Sequence, residues 1–290
     1  AKVSVYFIYA ENGKDKYGME MDGASVPCTD WVNKGCSISG CMNQAGTPAG
    51  CFPSSQCIAD STCQIIAGAV SLWRFEENSW NGTTGEVKDY FGKNNGTALN
   101  ATGRAKLIDD GKFGKGASFD GINNVVSVPD SNSLDLNTTN FAISFWVKWA
   151  WDNPFMYVIM KNAGGGGRGY GFYTGGGDGI SFEIYPNTAA AGRHQLNSLG
   201  RVNNSIWHHV VGVVNRTENM TLYVDGVFQA TRNISSNSSL GLATSEALGI
   251  GRYTADWSGA RFNGSIDDLM IFNRTLTASE VSALYNYNVG

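Results

Sequence analysis

The chain has 290 residues, of which only 16% are charged and 12% aromatic, with a formal net charge of −4. That length can bury one large core plus a small appendage, and a weakly acidic balance without a Lys/Arg cluster argues against nucleic acid or an anionic membrane as partner. No apolar run reaches the roughly 18 residues of a bilayer span. Abundant Gly, Asn, Ser and Thr fit an all-β, turn-rich extracellular protein.

In chain order, "AKVSVYFIYA" reads as a strand, with Val3, Val5, Phe7 and Tyr9 on one side and Tyr6 and Ile8 on the other. A strand must pair its backbone groups. The expectation is that it adds to a sheet edge of another copy, by donor-strand pairing that propagates head to tail; the alternative is pairing within its own chain. A polar, Gly-containing stretch leads to Cys28, Cys36, Cys41, Cys51, Cys57 and Cys63, and no cysteine follows. The spacing lacks C-x-x-C and the histidines lie far away, at His194, His208 and His209. Three disulfides, in any of fifteen pairings, are therefore expected rather than zinc. The domain boundary is placed near residue 67, giving an N-terminal strand plus disulfide-rich segment (1–66) and a larger domain (67–290).

From Ala67 onward strand follows strand. "NFAISFWVKWAW" alternates, with Phe141, Ile143, Phe145, Val147 and Trp149 on one face and Ala142, Ser144, Trp146 and Lys148 on the other. "YGFYTGGGDGISFEIY" predicts a hairpin with a glycine-rich loop. "IWHHVVGVV" is apolar on both faces and predicts a central strand. "MTLYVDGVFQATR" predicts a hairpin with Asp225-Gly226 at a type I′ tip. The one helix is C-terminal, where Thr277 and Glu280 form a capping box and Val281, Leu284 and Tyr285 a buried stripe. The fold class is an antiparallel jelly-roll β-sandwich.

Sequons occur at Asn81, Asn95, Asn100, Asn137, Asn203, Asn215, Asn219, Asn233, Asn237, Asn263 and Asn273. From 27 Asn and 44 Ser/Thr, chance gives about four. The excess predicts N-linked glycans on the second domain and a bare N-terminal region.

The ordered segments "VSLWRFEEN", "VKDYFGKNNGTAL", "GKGASFDGINNVVSVPDSNSLDL", "FAISFWVKW", "WHHVVGVV", "MTLYVDGVFQAT", "LGIGRY" and "FNGSIDDLMIFNRTLTASEVSALY" resemble the laminin-G-like jelly roll of the concanavalin A-like lectin/glucanase superfamily, over residues 67–288. This fold hosts lectins, adhesion modules, glycanases and structural domains. Its glycanases carry paired acids on one strand, as E-x-D-x-x-E; here Glu183 stands alone, and Glu76 and Glu77, being adjacent, would face opposite ways on a strand. No nucleophile elbow or phosphate loop is present, and His209 falls in a packing pattern, so no enzyme is predicted.

The extracellular setting and the resemblance imply calcium, with Asp89, Asn94 and Asn95 in "KDYFGKNNG" and Asp267 in "GSIDDLMIF" as oxygen donors. Asp267 is in phase with Leu269 and Ile271 and should point inward, toward a cation or toward hydrogen-bond donors. Asp120 should order its own turn with Gly121. Trp151, Asp152 and Asn153 in one loop and Tyr253, Asp256 and Trp257 in another are candidates for stacking on a sugar, or for covering a sheet edge. The expected function is an N-glycosylated surface protein, a filament or coat subunit assembled from copies of itself through the opening strand. The alternative is a carbohydrate-binding adhesion module; a glycoside hydrolase ranks third.

Overall fold

The computed structural model describes residues 65–66, 68–99, 105–150, 155–163, 167–175, 178–186, 192–252 and 261–286. The predicted opening strand, the six cysteines, Asn100, Trp151, Asp152, Asn153, Tyr253, Asp256 and Trp257 lie outside the described residues. The chain divides into two units: one is Val70–Leu276, and the other is described over 65–66, 68–69 and 277–286.

In that other unit the C-terminal helix α1 (Ala278–Tyr285) starts as its sequence dictates. Thr277 Oγ1 accepts from Glu280 N at 3.2 Å, and Glu280 Oε2 accepts from Thr277 N at 2.8 Å. Both ends of the capping box are therefore made, and Val281 and Leu284 are buried.

The larger unit is a two-sheet sandwich. Its strands are β1 (Ala69–Trp73), β2 (Thr97–Leu99), β3 (Lys106–Phe113), β4 (Lys115–Asp120), β5 (Val125–Val128), β6 (Phe141–Lys148), β7 (Tyr157–Asn162), β8 (Gly169–Gly175), β9 (Gly179–Tyr185), β10 (His194–Asn197), β11 (His208–Val214), β12 (Asn219–Val224), β13 (Val227–Asn233), β14 (Leu248–Ile250) and β15 (Asn263–Phe272). Among the described residues, one sheet runs β13-β12-β11-β6-β15-β4-β3, with β1 also on β15. The other runs β10-β9-β8-β7-β14-β5-β2. Neighbours along both paths pair antiparallel.

The core forms where the alternating apolar faces meet. Phe145 on β6 meets Phe172 on β8 edge to face at 4.9 Å, and Phe172 stacks on Phe182 of β9 at 4.5 Å. Gly212 on β11 faces these two rings, and a Cβ there would lie 2.7 Å from each. The central strands are covered on both sides: every residue of β11, and Phe141–Val147 of β6, is buried. The predicted hairpin turns at Asp225 (φ 52°) and Gly226 (φ 74°), the two positive φ values of a type I′ tip. Asp120 orders its own turn, with Oδ1 accepting from Ile122, Asn123 and Asn124 N at 2.8, 3.0 and 3.3 Å, and Gly121 at φ 70°.

One predicted phase is corrected. Asp267 does not share a face with Leu269 and Ile271. Its cross-strand partner is Trp146, whereas Ile271 pairs with Ile143, and the register shifts between Asp267 and Met270. Asp268 takes up the extra residue at φ 42°. A bulge inverts the alternation beyond it, so Asp267 lies on the outer face of its sheet, buried beneath β3. A second correction concerns Glu76 and Glu77. They follow the end of β1 rather than lying on a strand, after Phe75 at φ 55°.

Candidate functional site

The outer face of β8, β9 and β10 carries the most organised polar surface. Inward positions on these strands are apolar: Phe172, Ile180, Phe182, Ile184 and Leu196 join the core. The alternate positions therefore face out. Tyr173 opposes Ser181, Ser181 opposes Asn197, and Glu183 opposes Gln195. Arg193 and Tyr185 flank this set at one end. Phe155 lies parallel over Tyr173, with centroids 5.8 Å apart and an interplanar angle of 15°, and stays 57% exposed.

A continuous hydrogen-bond chain joins these side chains. Arg193 Nη2 donates to Tyr173 Oη and Gln195 Oε1, each at 2.7 Å, and to Glu183 Oε1. Tyr185 Oη donates to Glu183 Oε2. Gln195 Nε2 and Ser181 Oγ both donate to Asn197 Oδ1 at 2.7 Å. Glu183 is buried, while the Arg193 side chain is 40% exposed, with its Cζ 5.8 Å from the Tyr173 ring and 6.0 Å from that of Tyr185. Burial first, and the Glu183 carboxylate second, push the Tyr173 phenol up to about 12. The Tyr185 phenol is raised by burial and by its bond to Glu183. Both phenols are therefore neutral near neutral pH. What the face offers is a rigid aromatic and polar surface with one carboxylate and one guanidinium.

The outer face of the other sheet is closed by comparison. Ser144 Oγ and His209 Nε2 are 2.8 Å apart, a pairing that resembles a nucleophile and its base, but both residues are buried. Trp146 packs beside His209 at 5.0 Å, and Lys112 lies over Trp146 at 4.1 Å. Burial holds the His209 imidazole down to about 3, so it is neutral.

A family model described as the Concanavalin A-like lectin/glucanases superfamily, of the type Laminin_G_3, matches residues 120–282. The chain belongs to this superfamily. Solved structures agree in fold. The binding domain of Paraclostridial Mosquitocidal Protein 1 aligns with a TM-score of 0.57 at 18% identity, covering 74% of this chain and 52% of that one. Domain 4 of AbnA, a GH43 extracellular arabinanase from Geobacillus stearothermophilus solved with arabinotriose, aligns at 0.54 and 18%, covering 75% and 98%. Trypanosoma rangeli sialidase aligns at 0.56 and 16%, covering 76% and 32%. The chain spans about half the length of the toxin binding domains it matches. No curated protein matches it in sequence.

Within this concanavalin A-like domain, the proposed calcium donors have protein partners. Asp89 Oδ1 accepts from Leu72 and Phe91 N at 3.0 and 3.2 Å, and Oδ2 from Lys93 and Asn94 N at 3.1 and 2.9 Å. Asn95 Oδ1 accepts from Asp89 N at 2.9 Å, and Asn94 is bonded to Ser71, Ser131 and Ser133. Asp267 accepts from Phe113 N at 2.9 Å and Asp268 N at 2.8 Å. Asp89 and Asp267 thus have no bonding partner in common. Burial raises the carboxyl groups of both Asp267 and Asp268, and Arg74 lies 3.5 Å from Asp268. Among the described residues no group of three His, Cys, Asp or Glu is placed to hold a metal ion.

Oxygen atoms do converge elsewhere, around a lysine. Lys161 on β7 is fully buried, and its ammonium lies 2.6 Å from Asp130 Oδ1, 3.2 Å from Asp135 Oδ1, and 2.6 and 2.9 Å from the carbonyls of Thr244 and Glu246. Two carboxylates and two carbonyls thus surround a cation supplied by the chain itself.

Sequence reasoning missed the β8–β10 face. The readable signal was a polar set at period two, Ser181, Glu183 and Tyr185, then Arg193, Gln195 and Asn197, interleaved with Ile180, Phe182, Ile184 and Leu196. What was not readable was that β9 pairs with β10, which turns a solitary Glu183 into the partner of Arg193.

Proposed function

We propose that this domain is an extracellular glycan-binding module that reads sugars on the outer face of β8–β10. The observation that carries this is the exposed Phe155 ring, stacked on Tyr173 beside a pre-organised polar chain. An apolar ring can cover the C–H face of a pyranose, while fixed donors and acceptors read its hydroxyls. The fold likeness to a domain solved with arabinotriose supports the same class of ligand. Binding without turnover is favoured because, among the described residues, Glu183 is the one carboxylate of the face, and glycoside hydrolysis uses two. Sequon placement fits as well. No sequon lies on β8, β9 or β10 themselves.

A broad glycan array on the intact protein tests the reading, followed by titration of a hit. Phe155→Ala should weaken binding about three- to tenfold, the size of one lost aromatic contact. Its melting temperature should barely change because the ring is mostly exposed. An array with no hit, or full affinity in Phe155→Ala, rejects this reading.

A filament or coat subunit is a second reading, favoured by the β13 edge. β13 is seven residues long, exposes Val227 and Phe228, and carries Arg232 as its single charge. The β13 edge shares with β3 a shift of register, at Gln229, but the other edge strands are blunted further: β3 carries four charged residues, and β2 and β10 are short. A segment such as "AKVSVYFIYA" from another copy would extend the sheet here. Deleting residues 1–10 should abolish assemblies visible by electron microscopy; assembly that persists unchanged rejects the idea.

A further inference from the structure

Resting on the second reading, strand pairing at β13, the loops beside that edge locate the rest of the contact. The register shift at Gln229 interrupts β13, so its unbroken ladder covers residues 230–233. A ladder that short is a small contact, and a stable pair of proteins buries more surface. Gln229 ties the strand to the connection between β10 and β11. Its Oε1 accepts from Leu199 N at 3.0 Å, and its Nε2 donates to Val227 O at 3.2 Å. His208 closes the same join: its Nδ1 lies 2.7 Å from Asp225 Oδ2 at the hairpin tip, and its Nε2 2.9 Å from Asn204 Oδ1 in the connection.

These two clasped loops carry four of the six large apolar side chains that are exposed among the described residues. Leu199 is 81% exposed, and Ile206, Val227 and Phe228 are each more than half exposed. Apolar side chains gathered at one place on the surface mark a contact site. Sequons sit at the opposite end of the same sheet. There Val214 pairs with Phe141 and Met220, Phe272 with Ala142, and Asn233 with Asn219. Asn215, Asn219, Asn233 and Asn273 all lie at that end. The one sequon of the clasped loops is Asn203, which is buried with both ends of its amide bonded.

Strand direction then says what reaches the apolar loops. Neighbours along this sheet pair antiparallel. A strand added antiparallel to β13 runs from Asn233 toward the hairpin tip. With "AKVSVYFIYA" as that strand, Ala1 lies toward Asn233 and Ala10 toward the tip. The residues after Ala10 are thus delivered to Leu199, Ile206, Val227 and Phe228. They are free of sequons as far as Asn81, and they soon present Tyr17, Met19 and Met21 at alternate positions.

We infer that Leu199, Ile206, Val227 and Phe228 form a docking platform for a second copy of this chain, and that it receives the segment following that copy's opening strand. The contact is head to tail, because platform and segment are different parts of the chain. Strand pairing fixes the register, and the platform supplies the apolar burial that a short ladder lacks.

Self-association of the intact protein, followed by light scattering, tests this by competition with two synthetic peptides, residues 1–10 and residues 1–22. Both should block assembly, the longer one at about tenfold lower concentration. A Leu199→Asp, Ile206→Asp double variant leaves β13 unaltered. It should assemble about tenfold more weakly, at an unchanged melting temperature because both side chains are mostly exposed. Equal potency of the two peptides, or full assembly of the folded variant, overturns the platform and leaves strand pairing standing. The peptide comparison uses the natural protein, so it decides the matter whether or not the variant folds. Assembly that neither peptide blocks, or a natural protein that stays monomeric at every concentration, overturns both.

Discussion

The buried His209 imidazole gives this domain a defined acid response. The unfolded chain protonates a histidine near pH 6.5, whereas burial keeps His209 neutral in the fold down to about 3. Between those values the unfolded state binds the extra proton. Stability contributed by His209 is therefore complete above about pH 6.5 and is lost as pH falls toward 3, at a slope of about 1.4 kcal/mol per pH unit. Denaturant midpoints measured from pH 7 to 4 should fall faster for the natural protein than for His209→Gln, in which Ser144 keeps a hydrogen-bonding partner but no proton is taken up. Parallel curves would mean that His209 is not what titrates. The packing role of His209 was legible in the sequence, because it belongs to a strand apolar on both faces. The role of Glu183 was not, because its partner Arg193 lies ten residues on, across a hairpin connection whose register the sequence does not state.

At the scale of the element, the two sheets approach closely at Gly212. Adding one methyl there must displace the Phe172 and Phe182 rings, each 2.7 Å from the new carbon. Gly212→Ala should destabilise the domain by about 1–3 kcal/mol, the range for overpacking a filled core, seen as a lower urea midpoint at unchanged slope. A stability equal to that of the natural protein would show that the rings have room to move. Strand identities at this scale were largely readable from period-two patterns, and so were the Asp225-Gly226 tip and the Thr277 cap, since both rest on local chemistry. The phase of Asp267 was not. A bulge adds one residue to one strand against its partner, and the sequence of β15 alone does not record what β6 offers opposite it.

For the whole molecule, the order of the strand motifs identified the sandwich and its superfamily, because eight segments in sequence constrain topology more than any one of them. Sequons, by contrast, are local strings and carry no information about burial. Asn203 is 3% exposed, its Nδ2 donates to Asp178 at 3.0 Å and its Oδ1 accepts from Arg201 at 2.9 Å. Attaching a glycan there would require opening this network. Asn81, Asn137, Asn233, Asn263 and Asn273 are exposed. Glycopeptide mass spectrometry of protein from a glycosylating host should find sugar on several of these five and none on Asn203; occupancy at Asn203 would mean that the sugar is added before the loop closes.

The Lys161 cluster gives this sandwich a property that a bound ion would not. A dissociable ion fills its site only in proportion to its concentration outside, so a joint held by one loosens when the ion is scarce or sequestered. The Lys161 ammonium is attached by its own backbone to β7, between the loops that carry Asp130, Asp135, Thr244 and Glu246. Its local concentration is set by covalent geometry and not by the medium. The clasp between those loops therefore needs no dissolved ion and has none for a chelator to remove.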